Sequence, residues 1–291
     1  MTMQTLELGR TGRRVSRVGL GALPLSFHGR PERSAAVGVV ARALELGVTL
    51  IDTADGYCLH AGEVGHNERL VREALDAAGR PPEVLVATKG GIAFVGARME
   101  LVGHPWHLRR ACEASLRALG VDALDLYYLH APDPAVPFEE SVGELARLAA
   151  EGKVRAVGLS NVSLDQLRAA LAIVPVAAVQ NHLSPWDRSA EACGMIAFCA
   201  DHGVTFFAHS PAGGAERVRL IRENPALRRL AEELGASAVE LVIAWVLARS
   251  PALGTIPGAS RPASIESSIR AAAIGLPADA LASLDEAFSQ L

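Results

Sequence analysis

Asp52, Tyr57, Lys89 and His130 are the residues of this chain best suited to do chemistry together. Asp52 closes the run TLID in TLIDTADGYCLH, and Tyr57 follows five positions later. Lys89 closes VLVATK, and His130 closes LDLYYLH. A free phenol, with a pKa near ~10, is a poor acid at neutral pH. A neighbouring ammonium favours the phenolate and is expected to lower that value. A carboxylate beside the lysine would keep it charged and oriented. An imidazole near the phenol would hydrogen-bond a carbonyl and share the proton. The set would make Tyr57 a general acid toward a carbonyl oxygen that becomes an alkoxide. Taken singly, each residue has a plainer reading: Asp52 as a turn former, Lys89 as a solvated charge, Tyr57 as a packing residue, His130 as a structural histidine. Their joint arrival at successive strand ends favours the chemical reading.

The elements that must position them are legible as alternating patterns. Short apolar runs at Val18–Gly21, Thr49–Ile51, Val84–Ala87, Leu126–Leu129, Val154–Gly158, Val176–Val179, Val204–Ala208 and Leu253–Ile256 predict eight strands. They lack polar alternation, as expected of a parallel sheet covered on both faces. Helical spacing lies between them, as in Cys112-Leu116-Leu119, Leu164-Leu167-Leu171 and Val239-Ile243-Val246. Ser163, Asp122 and Ser237 are the expected caps. A hairpin is expected at Thr5–Leu8, Gly12 and Val15. Eight strand–helix units in 291 residues predict a (β/α)8 TIM barrel, with a short N-terminal hairpin and an extra C-terminal helix. The whole chain, 1–291, is read as a single barrel domain, since no linker or shift of composition divides it. A doubly wound sheet would carry a glycine fingerprint after its first strand. Here Gly19-Leu20-Gly21-Ala22-Leu23-Pro24 lacks the third glycine, and Pro24 blocks a helix start.

Composition excludes other classes. Half the residues are apolar, so a large core is available. The net charge of −4 leaves no global footprint for nucleic acid or an anionic membrane. Cys58, Cys112, Cys193 and Cys199 form no C-x-x-C pair and read as reduced thiols of a cytoplasmic protein. No apolar run reaches the ~18 residues of a membrane span, and no secretory signal is visible. His104 with His107, and His60 with His66, lack a convincing third ligand, so no metal is expected.

The motifs together resemble the aldo-keto reductase superfamily across nearly the whole chain. LGRTGRRVSRVGLG is similar to the family's opening segment, DTADGY to its Asp-Tyr motif, ATKGG to its Lys motif and LDLYYLHAPD to its His motif. VRAVGLSNVS, VQNHLSP, FFAHSPAGG and TIPGASRP resemble its cofactor motifs. The resemblance implies a barrel that binds NADPH (NADP⁺) in preference to NADH and interconverts carbonyls and alcohols. It implies that Tyr57 is the acid, that Lys89 and Asp52 tune it, and that His130 orients the carbonyl. It also implies that Ser160, Asn161 and Gln180 bind the nicotinamide carboxamide. Ser210, Pro211, Ala212, Gly213 and Gly214 would take the pyrophosphate, and Pro257, Gly258, Ser260 and Arg261 the adenosine phosphate. His209 stands where the family often stacks an aromatic residue on the nicotinamide, and its protonation is expected to repel the oxidised ring. Ser267-Ser268 stand where a Glu-Asn pair often meets the adenine. Phe27, His28, Phe94 and Trp186 are candidate pocket residues. The partner implied is a small carbonyl or alcohol, for a monomer or weak homo-oligomer. Three alternatives stay open at this point: an NAD-dependent sugar dehydrogenase, a Schiff-base enzyme using Lys89, and a nucleotide-binding regulatory subunit.

Overall fold

The computed structural model describes residues 3–96 and 98–290. Eight parallel strands follow one another around a sheet: Leu20–Gly21, Leu50–Asp52, Leu85–Gly90, Leu126–Leu129, Val157–Ser160, Val176–His182, Thr205–His209 and Leu253–Ile256. The first and eighth meet through the backbone. Gly19 N donates to Thr255 O (2.8 Å), Gly21 N to Pro257 O (3.0 Å) and Thr255 N to Arg17 O (2.9 Å). The sheet is thereby closed into the expected barrel. A Cβ at Gly21 would stand 2.6 Å from Ile256 O, so this closure needs glycine.

The buried runs divide between two cores. One face of each strand fills the barrel interior, where Leu50, Leu85, Leu126 and Phe207 meet. The other packs under the helices, as with Ile51, Tyr127 and Phe206. The N-terminal hairpin, Thr5–Glu7 paired with Arg14–Ser16, brings Leu6, Leu8 and Val15 to the interior core. The interior is therefore packed, and chemistry is confined to the mouth where strands end.

Helix starts follow local capping chemistry. Ser163 and Ser237 each form a reciprocal capping box, with Gln166 and Glu240. Asp122 caps no helix; it lies in the bend before the fourth strand. The C-terminal helix Ala278–Ser289 is present and sets Phe288 edge-on against Trp245, with ring centroids 5.1 Å apart. The segment after the third strand is not a plain loop. It forms an antiparallel hairpin, Ile92–Val95 with Arg98–Leu101. Among the described residues no helix is long and apolar enough to cross a membrane.

Candidate active site

The mouth gathers all four chemical residues from strand ends far apart in sequence. Asp52 is the last residue of the second strand, Lys89 is next to last in the third, and His130 follows the fourth. Parallel pairing sets their depth, with Asp52 opposite Ala87 and Lys89 opposite Tyr128. The loop bearing Tyr57 is tied down by Thr53 N to Ala87 O (2.8 Å) and Gly65 N to Asp55 O (2.8 Å).

Lys89 is the hub. Its Nζ donates to Asp52 Oδ1 (2.5 Å), to Tyr57 Oη (3.0 Å) and to Thr53 O (3.0 Å). Those three bonds use every hydrogen of an ammonium. Asp52 Oδ2 accepts from Gln180 Nε2 (2.7 Å), so both carboxylate oxygens are satisfied. Burial works against the charge on Lys89, but Asp52 and Tyr57 outweigh it and hold the lysine above its usual range. A Schiff-base nucleophile needs a neutral amine, so this environment disfavours that alternative.

Tyr57 departs from the sequence expectation. Burial pushes the phenol above its usual value, and the opposing pull of Lys89 does not cancel it. The hydroxyl is therefore fully protonated at neutral pH. His130 faces it edge-on, with ring centroids 5.7 Å apart. Burial, then Lys89 and His209, hold His130 well below the usual histidine range. It is a neutral imidazole, and its buried Nδ1 has no protein partner. Cys58, beside Tyr57, is an inert thiol, with burial pushing it up to about 11.

A second cluster adjoins the first. Asn161 Nδ2 donates to His130 O (2.9 Å) and to Ser160 Oγ (3.0 Å), and its Oδ1 faces His209 Nε2 at 3.0 Å. His209 Nδ1 lies 3.2 Å from Ser210 Oγ. This network assigns the Nε2–H tautomer, with Ser210 donating to Nδ1. Asn161 and Ser210 both adopt left-handed backbone (φ 58° and 52°), a conformation uncommon for non-glycine residues. Burial pushes His209 down to about 3. The expected charge on this ring is thus absent across ordinary pH.

Ser160 Oγ donates to Gln180 O (2.9 Å), inside the protein. The turn through Ser210, Pro211, Ala212, Gly213 and Gly214 leads into the helix Ala215–Glu223, with φ of 72° and 90° at its two glycines. Arg261 is exposed at the start of the helix Pro262–Ala271, just after Pro257, Gly258 and Ser260. Ser267 and Ser268 are turned away, to Glu240 and to Ser264 O. Of the pocket candidates, Phe27 meets the Tyr57 ring edge-on at 6.4 Å. Trp186 carries the Arg217 guanidinium on its face at 4.9 Å. Phe94 lies on the hairpin and His28 is exposed. Among the described residues no three metal-type side chains cluster.

Three features escaped the sequence reading. One is the brace from Gln180 to Asp52. Another is the mouth hairpin. The third is a buried carboxyl pair, Asp55 and Glu68. Asp55 Oδ1 has no partner, while Glu68 accepts from Thr88 Oγ1 (2.6 Å). Burial pushes both carboxyls up, and Glu68 pushes Asp55 further. Asp55 lies within the DTADGY segment, but nothing in its type or spacing marks it as buried.

A closed eight-stranded barrel with this cluster at its mouth defines the class, and comparison with known proteins agrees. The model of the Aldo/keto reductase family matches residues 17–288. The chain belongs to that family of oxidoreductases. It is 33% identical to "Probable aldo-keto reductase 1" of Glycine max over 98% of this chain and 89% of that protein. Among solved structures, the glycerol dehydrogenase AKR11B4 of Gluconobacter oxydans superposes with a TM-score of 0.85 at 27% identity, covering 100% of this chain and 96% of that one. An aldo-keto reductase of Klebsiella pneumoniae in complex with NADPH gives 0.82 at 28% identity, covering 99% and 96%.

Proposed function

We propose that this protein is a cytoplasmic NADP(H)-dependent oxidoreductase that reduces an aldehyde or ketone to an alcohol, with Tyr57 as general acid. The observation that carries the reading is the Tyr57 hydroxyl 3.0 Å from a Lys89 ammonium whose other two hydrogens are committed to Asp52 and Thr53. The ammonium is thereby fixed where negative charge develops on the phenol oxygen. The cofactor assignment draws support from the NADPH-bound Klebsiella relative. It also fits the residues present: a glycine-containing turn feeding a helix N-terminus suits a pyrophosphate, and the exposed Arg261 suits a 2′-phosphate. Asn161, His209 and Ser210 would border the nicotinamide. When bound, reduced nicotinamide supplies a hydride to the carbonyl carbon.

The side chains supply the rest. His130 offers its one N–H to the carbonyl oxygen and, being neutral, adds no charge to compete with Lys89. Tyr57 Oη gives its proton to the oxygen as the alkoxide forms. The phenolate left behind is held by Lys89 Nζ, whose charge is balanced by Asp52. Gln180 keeps Asp52 aimed at the lysine. Alcohol oxidation would run through the same groups in reverse, with the Tyr57 phenolate beside Lys89 taking the hydroxyl proton.

The test is a panel of carbonyls and alcohols, followed at the nicotinamide absorbance with both cofactors. Tyr57→Phe is expected to bind NADPH as the parent does and to lose ~10²–10⁴-fold in carbonyl reduction. Near-parental turnover by this variant would exclude Tyr57 as the acid. No turnover by the parent on any carbonyl would favour a regulatory role.

A further inference from the structure

The described residues include eight exposed large hydrophobic side chains, and six of them fall in the segments between the first and fourth barrel strands. Leu23, Val64, Val95, Met99, Leu101 and Trp106 all follow the first three barrel strands. The candidate cofactor residues follow the fifth to eighth strands; Leu23 stands next to the last of them, where Gly258 approaches Pro24, while the hairpin after the third strand lies further round the barrel. The hairpin shows how its apolar side chains are aimed. Ile92 pairs with Leu101 and Phe94 with Met99, which puts these four side chains on one face. The opposite face carries Ala93, Val95, Arg98 and Glu100. A Cβ placed on Gly56 would be 3.6 Å from Ile92 Cγ2, so the apolar face is turned toward the loop that carries Tyr57. That face is only partly covered, with Met99 43% and Leu101 39% exposed.

We infer that the face of Ile92, Phe94, Met99 and Leu101 binds an apolar alkyl or aryl tail of the carbonyl substrate, which makes this a reductase of hydrophobic aldehydes or ketones. This rests on the reading of Tyr57 as the acid and adds the substrate class. The occupant follows from continuity. The face begins against the residue preceding Tyr57, so a carbonyl held at Tyr57 and His130 directs its substituent along it. A polyol would find no hydroxyl, amide or charged side chain on that face. An apolar chain would gain with each carbon it buries.

Two experiments on the full-length protein decide it. In the first, a series of n-alkanols from ethanol to octanol is titrated calorimetrically into protein saturated with NADPH. Affinity is expected to rise about twofold to fourfold per methylene, fourfold being full burial at ~0.8 kcal/mol per CH₂. Met99→Ser/Leu101→Ser is expected to flatten the series. Arg98→Ser/Glu100→Ser, on the opposite face, is expected to leave it steep. In the second, kcat/KM is measured for the matching n-alkanals, with the same rise and the same flattening expected. A flat series in the parent, or a steep one kept by Met99→Ser/Leu101→Ser, overturns the proposal. So does a parental dimer that this double variant dissociates, since the face would then join two copies. Steep alkanol binding without turnover of any alkanal would instead overturn the reductase reading and leave the apolar site standing.

Discussion

Replacing Asp52 by Asn removes one charge and keeps the shape of the side chain. In the parent, the Lys89 and Asp52 side chains are 1% and 3% exposed and bonded at 2.5 Å. The variant leaves the ammonium with neutral partners alone: Thr53 O, Tyr57 Oη and the amide oxygen of the new side chain. Removing one partner of a buried ion pair costs ~3–5 kcal/mol, because the other charge stays buried and uncompensated. Against a typical native stability of ~5–15 kcal/mol, that is a large share. With a urea slope of ~2–3 kcal/mol/M, the unfolding midpoint should fall by about 1–2.5 M at pH 7. The loss should also depend on pH. Without Asp52, burial holds Lys89 below its unfolded value of ~10.4. Between the two values the unfolded chain binds more protons than the native one, so stability rises with pH. The deficit of Asp52→Asn should therefore shrink between pH 7 and pH 10. Asp52→Asn/Lys89→Met removes both charges and should recover most of the loss. Urea unfolding followed by tryptophan fluorescence reads the parent and both variants. Parental stability in Asp52→Asn, or a deficit equal at both pH values, would refute the claim that Asp52 holds the charge on Lys89.

Arg261→Ala should weaken NADPH by about tenfold, from the low end of the ~1.5–3 kcal/mol of a charge-assisted bond because Arg261 is exposed, and should spare NADH. Fluorescence titration of both cofactors checks this, and an equal loss would place Arg261 elsewhere. The ratio of NADP⁺ to NADPH affinity should stay constant from pH 5 to pH 8, since burial keeps His209 neutral down to about 3; a ratio that falls as pH drops through 6.5 would mean the ring does take up a proton. Asp55 is held above its unfolded value by burial first and Glu68 second. The native state then binds the extra proton, so stability declines as pH rises above the unfolded carboxyl value of ~3.9. Asp55→Asn should make that decline shallower, and an unchanged slope of unfolding midpoint against pH would count against a buried proton at this position.

Much of this architecture is legible in the chain. Runs such as Leu126–Leu129 are apolar on both faces because each strand must satisfy an interior and a helical layer at once, and that demand writes itself into local sequence. Capping boxes at Ser163 and Ser237 are local too. Asp52, Lys89 and His130 could be read as a set because the barrel rule converts a strand end into a place at the mouth. Other features depend on what lies opposite. Gln180 reaches Asp52 across 128 positions of sequence. The Ile92–Leu101 segment declares its two faces only once Ile92 meets Gly56. The protonation states belong most fully to the tertiary structure. Sequence places a lysine near a tyrosine and so predicts a lowered phenol pKa. Desolvation depends on everything packed around the group, and here it outweighs Lys89 at Tyr57 and removes the charge from His209. Residue types and spacing are carried by the chain itself, while the dielectric surroundings of each group exist only when the barrel has closed around them.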